Sequence, residues 1–360
     1  MSNQLRVLAL PDYRKDNPYQ QLLAKALSGI GVETQFPAGY KRVLPIFRAT
    51  LANKPDVLHL HWPTPYFRGK LGLLRTIYTL RTAFDLLLVK LIGVRLVWTV
   101  HNVISHDTPS PKLELAFSRW ISGLADALIV HSKDAQNEII SEYNVDEKKV
   151  SVIKHGSFSS VYRPPIDSSV AREQSELPSA GPIALFFGMV RPYKGVHHLL
   201  EAWPKVLAQM PDAYLVIAGA TGDTDYVERL HGLLEGVDRV RLDLRYVPDD
   251  EVHVLMSAAN LLVLPFEKSL TSGSVTLANG FGLPIVTTSV AGGAKAENAI
   301  YADAESHQDL ADAIVSAFKT LKRSRVEAVD DWPEIAAEHF SIYAPNIPDR
   351  TLSISKELDH

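Results

Sequence analysis

Two stretches in the second half of the chain place hydrogen-bond donors where a negatively charged ligand would need them. In the first, the apolar run Ile183–Phe187 is followed by Gly188-Met189-Val190-Arg191-Pro192-Tyr193-Lys194-Gly195. A helix-period segment through Leu199, Leu200, Trp203 and Leu207 comes next. Glycine at a strand end lets a ligand approach the backbone, and Arg191 and Lys194 put cations near a helix N-terminus, where the peptide dipole favours an anion. In the second, Leu261–Leu264 leads into Pro265-Phe266-Glu267-Lys268-Ser269-Leu270-Thr271-Ser272-Gly273-Ser274. Small hydroxyl residues and glycine at a helix start supply backbone and side-chain donors suited to phosphate oxygens. Each stretch also has a plainer reading, as a solvated basic loop or as ordinary capping by Thr271 or Ser272. Taken together they point to a diphosphate, which needs donors from more than one side.

The first half of the chain carries histidines at the ends of apolar runs, in Leu58-His59-Leu60-His61-Trp62-Pro63 and Trp98-Thr99-Val100-His101-Asn102. Alternate residues of a strand share a face, so His59 and His61 point the same way; with no cysteine or third ligand beside them, a metal site is not expected. Asn17, in Pro11-Asp12-Tyr13-Arg14-Lys15-Asp16-Asn17-Pro18-Tyr19, can cap a helix running from Tyr19 to about Leu27.

The elements that must hold these residues are legible from periodicity. Short Val/Ile/Leu runs alternate with helix-period segments, which marks βα units around parallel sheets. The expected strands in the first half are Arg6–Leu10, Val32–Gln35, Val57–Leu60, Leu96–Val100, Ala127–Val130 and Val150–Ile153. In the second half they are Ile183–Phe187, Tyr214–Ala218, Val240–Leu242, Leu261–Leu264 and Pro284–Thr287. A chain of 360 residues exceeds the usual span of one core. The expected organisation is an α/β protein of two Rossmann-like, doubly wound parallel-sheet domains facing across a cleft, with ligands at the strand carboxyl ends. Residues 1–163 form the first domain and 183–330 the second. The Pro- and Ser-rich stretch 164–182 is an extended linker, and 331–360 a C-terminal helix and tail packing back toward the first domain.

Hydrophobic residues at 46% and charged residues at 22% fit a soluble globular protein, and a net charge of −4 gives no reason to expect nucleic acid. The absence of cysteine excludes disulfides and thiolate metal sites, and makes a cytosolic face the simplest reading. The N-terminus reads as a strand rather than a secretory leader, and no apolar run is long enough for a transmembrane span. Between Arg68 and Arg95 six basic residues, Arg68, Lys70, Arg75, Arg81, Lys90 and Arg95, stand against the lone acid Asp85, interleaved with leucines. That pattern reads either as helices resting on the inner face of an anionic membrane or as ordinary core with a solvated rim.

The pattern at Gly188–Gly195, the Ala218-Gly219 strand end and the block Leu261–Thr288 resemble the donor domain of GT-B glycosyltransferases, particularly those related to family 4. The resemblance spans essentially the whole chain. It implies that Arg191 and Lys194 contact the diphosphate of a nucleotide sugar, that Tyr246 and Val247 within Arg245–Asp249 pass near the base, and that Ser272, Gly273 and Ser274 hold phosphate oxygens. Gly188, Glu267 and Thr271 complete the implied donor set. Aligning on Gly282-Leu283-Pro284 puts Ser269 and Leu277 where family 4 usually carries its paired glutamates, with Glu267 out of register. In the first half, Asn17-Pro18-Tyr19 is similar to a bacterial exopolysaccharide-type subset. The implied acceptor residues are Asn17, Tyr19 and His61, and His101 resembles the histidine placed near the transferred sugar. Asp16, Asp107 and Asp12 are each eligible as base if the chemistry inverts. Val130-His131-Ser132-Lys133 also matches the family's strand-end pattern. The implied activity is transfer of a hexose to a saccharide, with a polyprenyl-linked oligosaccharide expected as acceptor. No tightly bound cofactor or metal is expected, because Arg191, Lys194 and helix-start amides can stabilise the departing nucleotide. A sugar-nucleotide epimerase of the same architecture and a non-catalytic nucleotide-sugar-binding subunit are the alternatives.

Overall fold

The computed structural model describes residues 4–15, 17–37, 43–67, 72–105, 108–158, 160–267, 270, 272–288, 298–325 and 330–346. Asp16, Asp107, Thr271 and Ser269, like Arg68, Lys70 and Lys268, lie outside these. The chain divides into two compact units, one of Met1–Gly156 with Asp331–His360 and one of Ser157–Asp330.

The first unit runs β1 (Leu5–Leu10), α1 (Tyr19–Gly29), β2 (Val32–Gln35), α2 (Pro45–Asn53), β3 (Val57–Leu60), α3 (Gly72–Leu91), β4 (Arg95–Thr99), α4 (Pro111–Leu124), β5 (Ala127–Val130), α5 (Lys133–Tyr143) and β6 (Val150–Val152). The second runs α6 (Ser168–Gln174), β7 (Ile183–Phe187), α7 (Val196–Gln209), β8 (Tyr214–Ala218), α8 (Thr224–Leu233), β9 (Val240–Asp243), α9 (Asp249–Ala258), β10 (Leu261–Leu264), α10 (Gly273–Gly280), β11 (Ile285–Thr287), β12 (Ala299–Tyr301) and α11 (His307–Thr320). Helix α12 (Trp332–Tyr343) belongs to the first unit.

Among the described residues each unit holds one parallel sheet of six strands, ordered β2-β1-β3-β4-β5-β6 in the first and β12-β11-β10-β7-β8-β9 in the second. Strands β3, β5 and β10 are buried along their whole length. That is why they read as continuous apolar runs rather than alternating ones: helices cover both sheet faces. Strand order reverses between β1 and β3 and between β7 and β10. These are the switch points at which a doubly wound sheet opens a crevice beyond its strand ends. Both loops singled out in the second half, after β7 and after β10, flank the second switch point.

The expected extended linker is instead part of the second unit. Asp167 accepts from the backbone N–H groups of Ser169 and Val170, which starts α6. The buried Arg172 then donates to Ala258 O, Ser179 O, Gly181 O and the Asn260 carboxamide oxygen. Serines that suggested a flexible connector serve as first-turn residues of a helix, and one guanidinium satisfies the carbonyls of the irregular chain behind it. Strand β12 was also not anticipated: three half-exposed residues carry too little periodicity to announce a strand.

Helix α12 packs on α1. Its Tyr343 hydroxyl lies 2.7 Å from His59 Nδ1, and Arg95 Nε donates to Ile342 O at 2.9 Å. Gly156, with φ +61°, sits so close to the Trp332 ring that an added Cβ would fall 2.5 Å from it. A backbone in that left-handed region, pressed against an indole face, admits only glycine without displacement.

Candidate active site

The second unit brings its two loops together around one glycine. Gly188, at φ +126°, donates its N–H to Ala218 O at 3.0 Å, while Gly219, at φ +151°, lies where a Cβ would meet Gly188 O at 2.0 Å. The ends of β7 and β8 therefore approach at a distance that side chains would forbid. A Cβ placed on Gly188 would stand 3.0 Å from Ser274 Oγ and 3.2 Å from Lys194 Nζ. A cation from the first loop and a hydroxyl from the second thus converge on the same bare Cα.

The two loops are also stitched backbone to backbone. Gly195, at φ +69°, is packed so tightly that an added Cβ would fall 1.9 Å from Pro265 O, and Glu267 N donates to Tyr193 O at 2.9 Å. Lys194 lies mostly buried, 5.6 Å from the centroid of the Phe266 ring. Burial, assisted by the neighbouring Arg191 charge, lowers its pKa to about 8. Among the described residues no carboxylate pairs with it. A desolvated ammonium with no anionic partner is costly by itself, so the arrangement suits an anion from outside the protein.

The remaining residues of the implied donor set divide. Ser274 Oγ donates to Phe187 O at 2.9 Å, beside Gly188. Ser272 caps α10, its Oγ accepting from Val275 N at 3.4 Å. Gly273 is exposed. Tyr246 presents an exposed ring whereas Val247 is buried. Glu267 turns toward α7, its Oε1 3.5 Å from His197 Nε2 and 3.4 Å from His198 Nε2. Leu277 is buried in the hydrophobic core.

In the first unit the strand carboxyl ends gather histidines. His61 follows β3, His101 follows β4, His131 follows β5 and His155 follows β6. Tyr19, with no exposed surface, stands among them, its ring centroid 5.8, 5.5, 5.4 and 4.9 Å from theirs respectively. Trp62 stacks on His101 at 3.9 Å, and His61 Nδ1 lies 3.4 Å from His101 Nε2. His59 bridges Thr99 Oγ1 and the Tyr343 hydroxyl, both at 2.7 Å. His131 Nδ1 faces Ile153 O at 2.9 Å and His339 Nδ1 faces Ile335 O at 2.7 Å, so both rings carry that proton on Nδ1. Asn17 Oδ1 accepts from Tyr19 N at 2.9 Å, opening α1. Asp12 pairs with Arg14 at 2.9 Å; this bond lowers the carboxyl pKa and occupies the group as an ion-pair partner. Ser132 caps α5 through Ala135 N at 3.0 Å.

Residues 6–157 match the family described as Glycosyltransferase Family 4, and residues 181–320 match Glycosyl transferases group 1. The two halves of the chain therefore each carry a glycosyltransferase domain, the first of the Family 4 type and the second of group 1. A D-inositol 3-phosphate glycosyltransferase of Corynebacterium aurimucosum is 26% identical over 312 residues, covering 80% of this chain and 71% of that one. A GDP-mannose:glycolipid 4-beta-D-mannosyltransferase of Xanthomonas campestris pv. campestris is 27% identical over 309 residues, covering 82% and 81%. Among solved structures, Anabaena HepE in complex with UDP-glucose superposes with a TM-score of 0.64 at 18% identity, over 99% of each chain. That likeness concerns the fold, GT-B.

For this glycosyltransferase, His131, His155, His339, Trp332 and Tyr343 join the first-unit cluster without having been singled out as a group. A signal was present for the first two, since each of four neighbouring strands is followed by a histidine within three residues. The others arrive through α12, whose partner a linear reading does not specify.

Burial keeps the cluster neutral. It lowers the pKa of His61 to about 3 and that of His339 to about 4, holds His59, His101 and His131 well below the ordinary imidazole value, and lowers His155. A neutral imidazole at His101 offers one N–H and one lone pair rather than a cation. Because the folded values lie below the unfolded value of about 6.5, the unfolded chain binds more protons at mildly acidic pH. The stability these residues contribute is complete above about pH 6.5 and is lost progressively toward the folded values, each histidine removing about 1.4 kcal/mol per pH unit. Urea unfolding monitored between pH 8 and 5 should show a nearly constant midpoint above pH 7 and a steep fall below 6.5. A midpoint insensitive to pH down to 5 would contradict the buried neutral cluster.

Proposed function

We propose that this enzyme transfers a hexose from a nucleotide diphosphate sugar to a lipid-linked saccharide acceptor. The observation that carries the donor half is the convergence of Lys194 Nζ and Ser274 Oγ on the Cβ-free strand end at Gly188. A diphosphate lying over Gly188 would meet a desolvated cation on one side and, once its proton turns from Phe187 O, the Ser274 hydroxyl on the other, with Arg191 in the same loop. UDP-glucose bound to a protein of the same fold supports a nucleotide sugar as co-substrate. The bond from sugar C1 to the phosphate oxygen breaks, an acceptor oxygen takes the phosphate's place, and the nucleotide diphosphate leaves with the bonding electrons. Lys194 and Arg191 stabilise that developing charge, the term that electrostatic preorganisation makes large in a desolvated site. The acceptor proton goes to Asp16 or Asp107. His101, with Tyr19 and His61 beside it and Asn17 at the start of α1, orients hydroxyl groups as a neutral donor and acceptor. Tyr246 and Val247 bound the base, and Glu267, Thr271, Ser272 and Gly273 shape the loop that holds the phosphates.

The lipid linkage rests on α3. Leu73, Ile77, Leu80, Phe84, Leu87 and Leu91, spaced alternately four and three residues apart, are all exposed, several by more than half. Of the two readings of this segment, a solvent-facing apolar stripe fits better than a leucine core, and such a stripe is covered when the helix lies on a bilayer. Among the described residues no helix is long and apolar enough to cross a membrane. A relative whose name specifies a glycolipid acceptor supports the same reading.

Lys194→Ala should lower kcat/KM for the donor by about 10²- to 10³-fold. In the wild type that parameter should fall above about pH 8, where Lys194 loses its proton, and Lys194→Arg should move the fall beyond the accessible range. A pH profile identical in wild type and Lys194→Arg would refute the assignment, and isomerisation of donor without acceptor would indicate an epimerase instead. Flotation with phosphatidylglycerol vesicles should recover the wild type, and Leu80→Asp should abolish recovery while nucleotide binding persists. Equal flotation of the two would exclude α3 as the docking surface.

A further inference from the structure

Behind the donor loop, helix α7 carries His197 and His198 in its first turn and Glu201 one turn later, and α11 begins with His307. His307 Nε2 lies 3.0 Å from Glu201 Oε2, and His198 Nδ1 lies 4.0 Å from the same oxygen. The three ligating atoms fall within 4.8 Å of one another. The protons on the neighbouring rings can be assigned. The Tyr226 hydroxyl accepts the His197 backbone N–H at 3.2 Å and lies 2.9 Å from His197 Nδ1, so the phenol proton goes to Nδ1. His197 Nε2 lies 3.5 Å from Glu267 Oε1, and His198 Nε2 approaches the same carboxylate oxygen at 3.4 Å.

A proton on His198 Nε2, the nitrogen that faces Glu267, leaves a bare lone pair on Nδ1. That Nδ1 is buried and has no hydrogen-bond partner among the described residues. It faces a carboxylate oxygen, which also offers only lone pairs. Two acceptors directed at each other repel unless a positive species lies between them. A carboxylate that holds the far N–H of a ligating histidine is the recurrent arrangement behind a bound metal ion, because it orients the ring and raises its basicity.

We propose that the second unit binds a divalent transition metal ion through His198 Nδ1, Glu201 Oε2 and His307 Nε2, with Glu267 fixing the His198 tautomer. Two imidazoles and one carboxylate suit zinc and its neighbours, whereas magnesium and calcium prefer oxygen ligands. Glu201 and His307 are partly exposed, so their side chains can close on an ion without repacking the core. The bound ion ties the start of α11 to α7. Through His198 and Glu267, whose N–H holds Tyr193 O, it also braces the loop that carries Lys194. Its role is to stiffen that loop, separate from stabilising the leaving group.

The test uses untagged full-length protein stripped with EDTA, titrated with zinc by calorimetry and with cobalt by visible absorption. One ion per chain should bind, with a rise in melting temperature, and magnesium should produce neither effect. His307→Ala and Glu201→Gln should each weaken zinc binding at least tenfold, and Glu267→Gln about 10- to 100-fold, while their metal-free melting temperatures stay near that of stripped wild type. Absence of zinc binding at micromolar concentration would overturn the proposal, leaving His198 as a bridge between Glu201 and Glu267 without an ion. Binding that is unchanged in both His307→Ala and Glu201→Gln would overturn it equally, by placing the ion elsewhere.

Discussion

The second unit of this glycosyltransferase depends on one steric constraint, the absence of a Cβ where β7 ends. Gly188 and Gly219 let two neighbouring strand ends approach to a distance that alanine would prohibit, and that approach sets the position of the loop after β7. Gly195 repeats the device one turn later against Pro265, bringing the loop after β10 alongside. Lys194 and Ser274 then meet because the backbone beneath them has been made thin. The electrostatics have the same geometric origin: a lysine drawn into this packing loses hydration, which lowers its pKa and leaves its charge in want of an anion.

The first unit solves a different problem with aromatic and imidazole rings. Each strand from β3 to β6 delivers a histidine at its carboxyl end, and α12 returns from the far end of the sequence to close the cluster with Trp332, His339 and Tyr343. Neutral imidazoles can each give and accept one hydrogen bond, so a buried group of them offers polarity without net charge. A site of this kind can orient hydroxyl groups. Its cost is sensitivity to acid, because protonation of any member charges an interior packed against others of its kind.

Much of the fold was legible because buried parallel strands are written as uninterrupted Val/Ile/Leu runs. Ala127–Val130, Tyr214–Ala218 and Leu261–Leu264 carry the same bounds in sequence and structure. Where the reading differed, the reason was local. Serine and proline between residues 164 and 182 suggested loose chain, but Asp167 uses the serine-rich turn to start α6, and Arg172 anchors the irregular segment up to β7. Gly188, Lys194 and Ser274 come together at the end of β7, as residue type and position after strands suggested, since those signals are local. Tyr343 on His59, 284 residues apart, and His307 on Glu201 were not, because such pairs exist only once helices pack. Ser272 caps its own helix, its oxygen accepting from Val275 N, a local role that its type and place before α10 also signalled.

The central claim is that a diphosphate lies over Gly188, between Lys194 and Ser274. A crystal structure with a bound nucleotide diphosphate tests it most directly. The account predicts phosphate oxygens within hydrogen-bond distance of Lys194 Nζ and Ser274 Oγ, about 2.7–3.2 Å, above the Gly188 Cα. Phosphates bound elsewhere, with Lys194 and Ser274 still turned to protein partners alone, would contradict it.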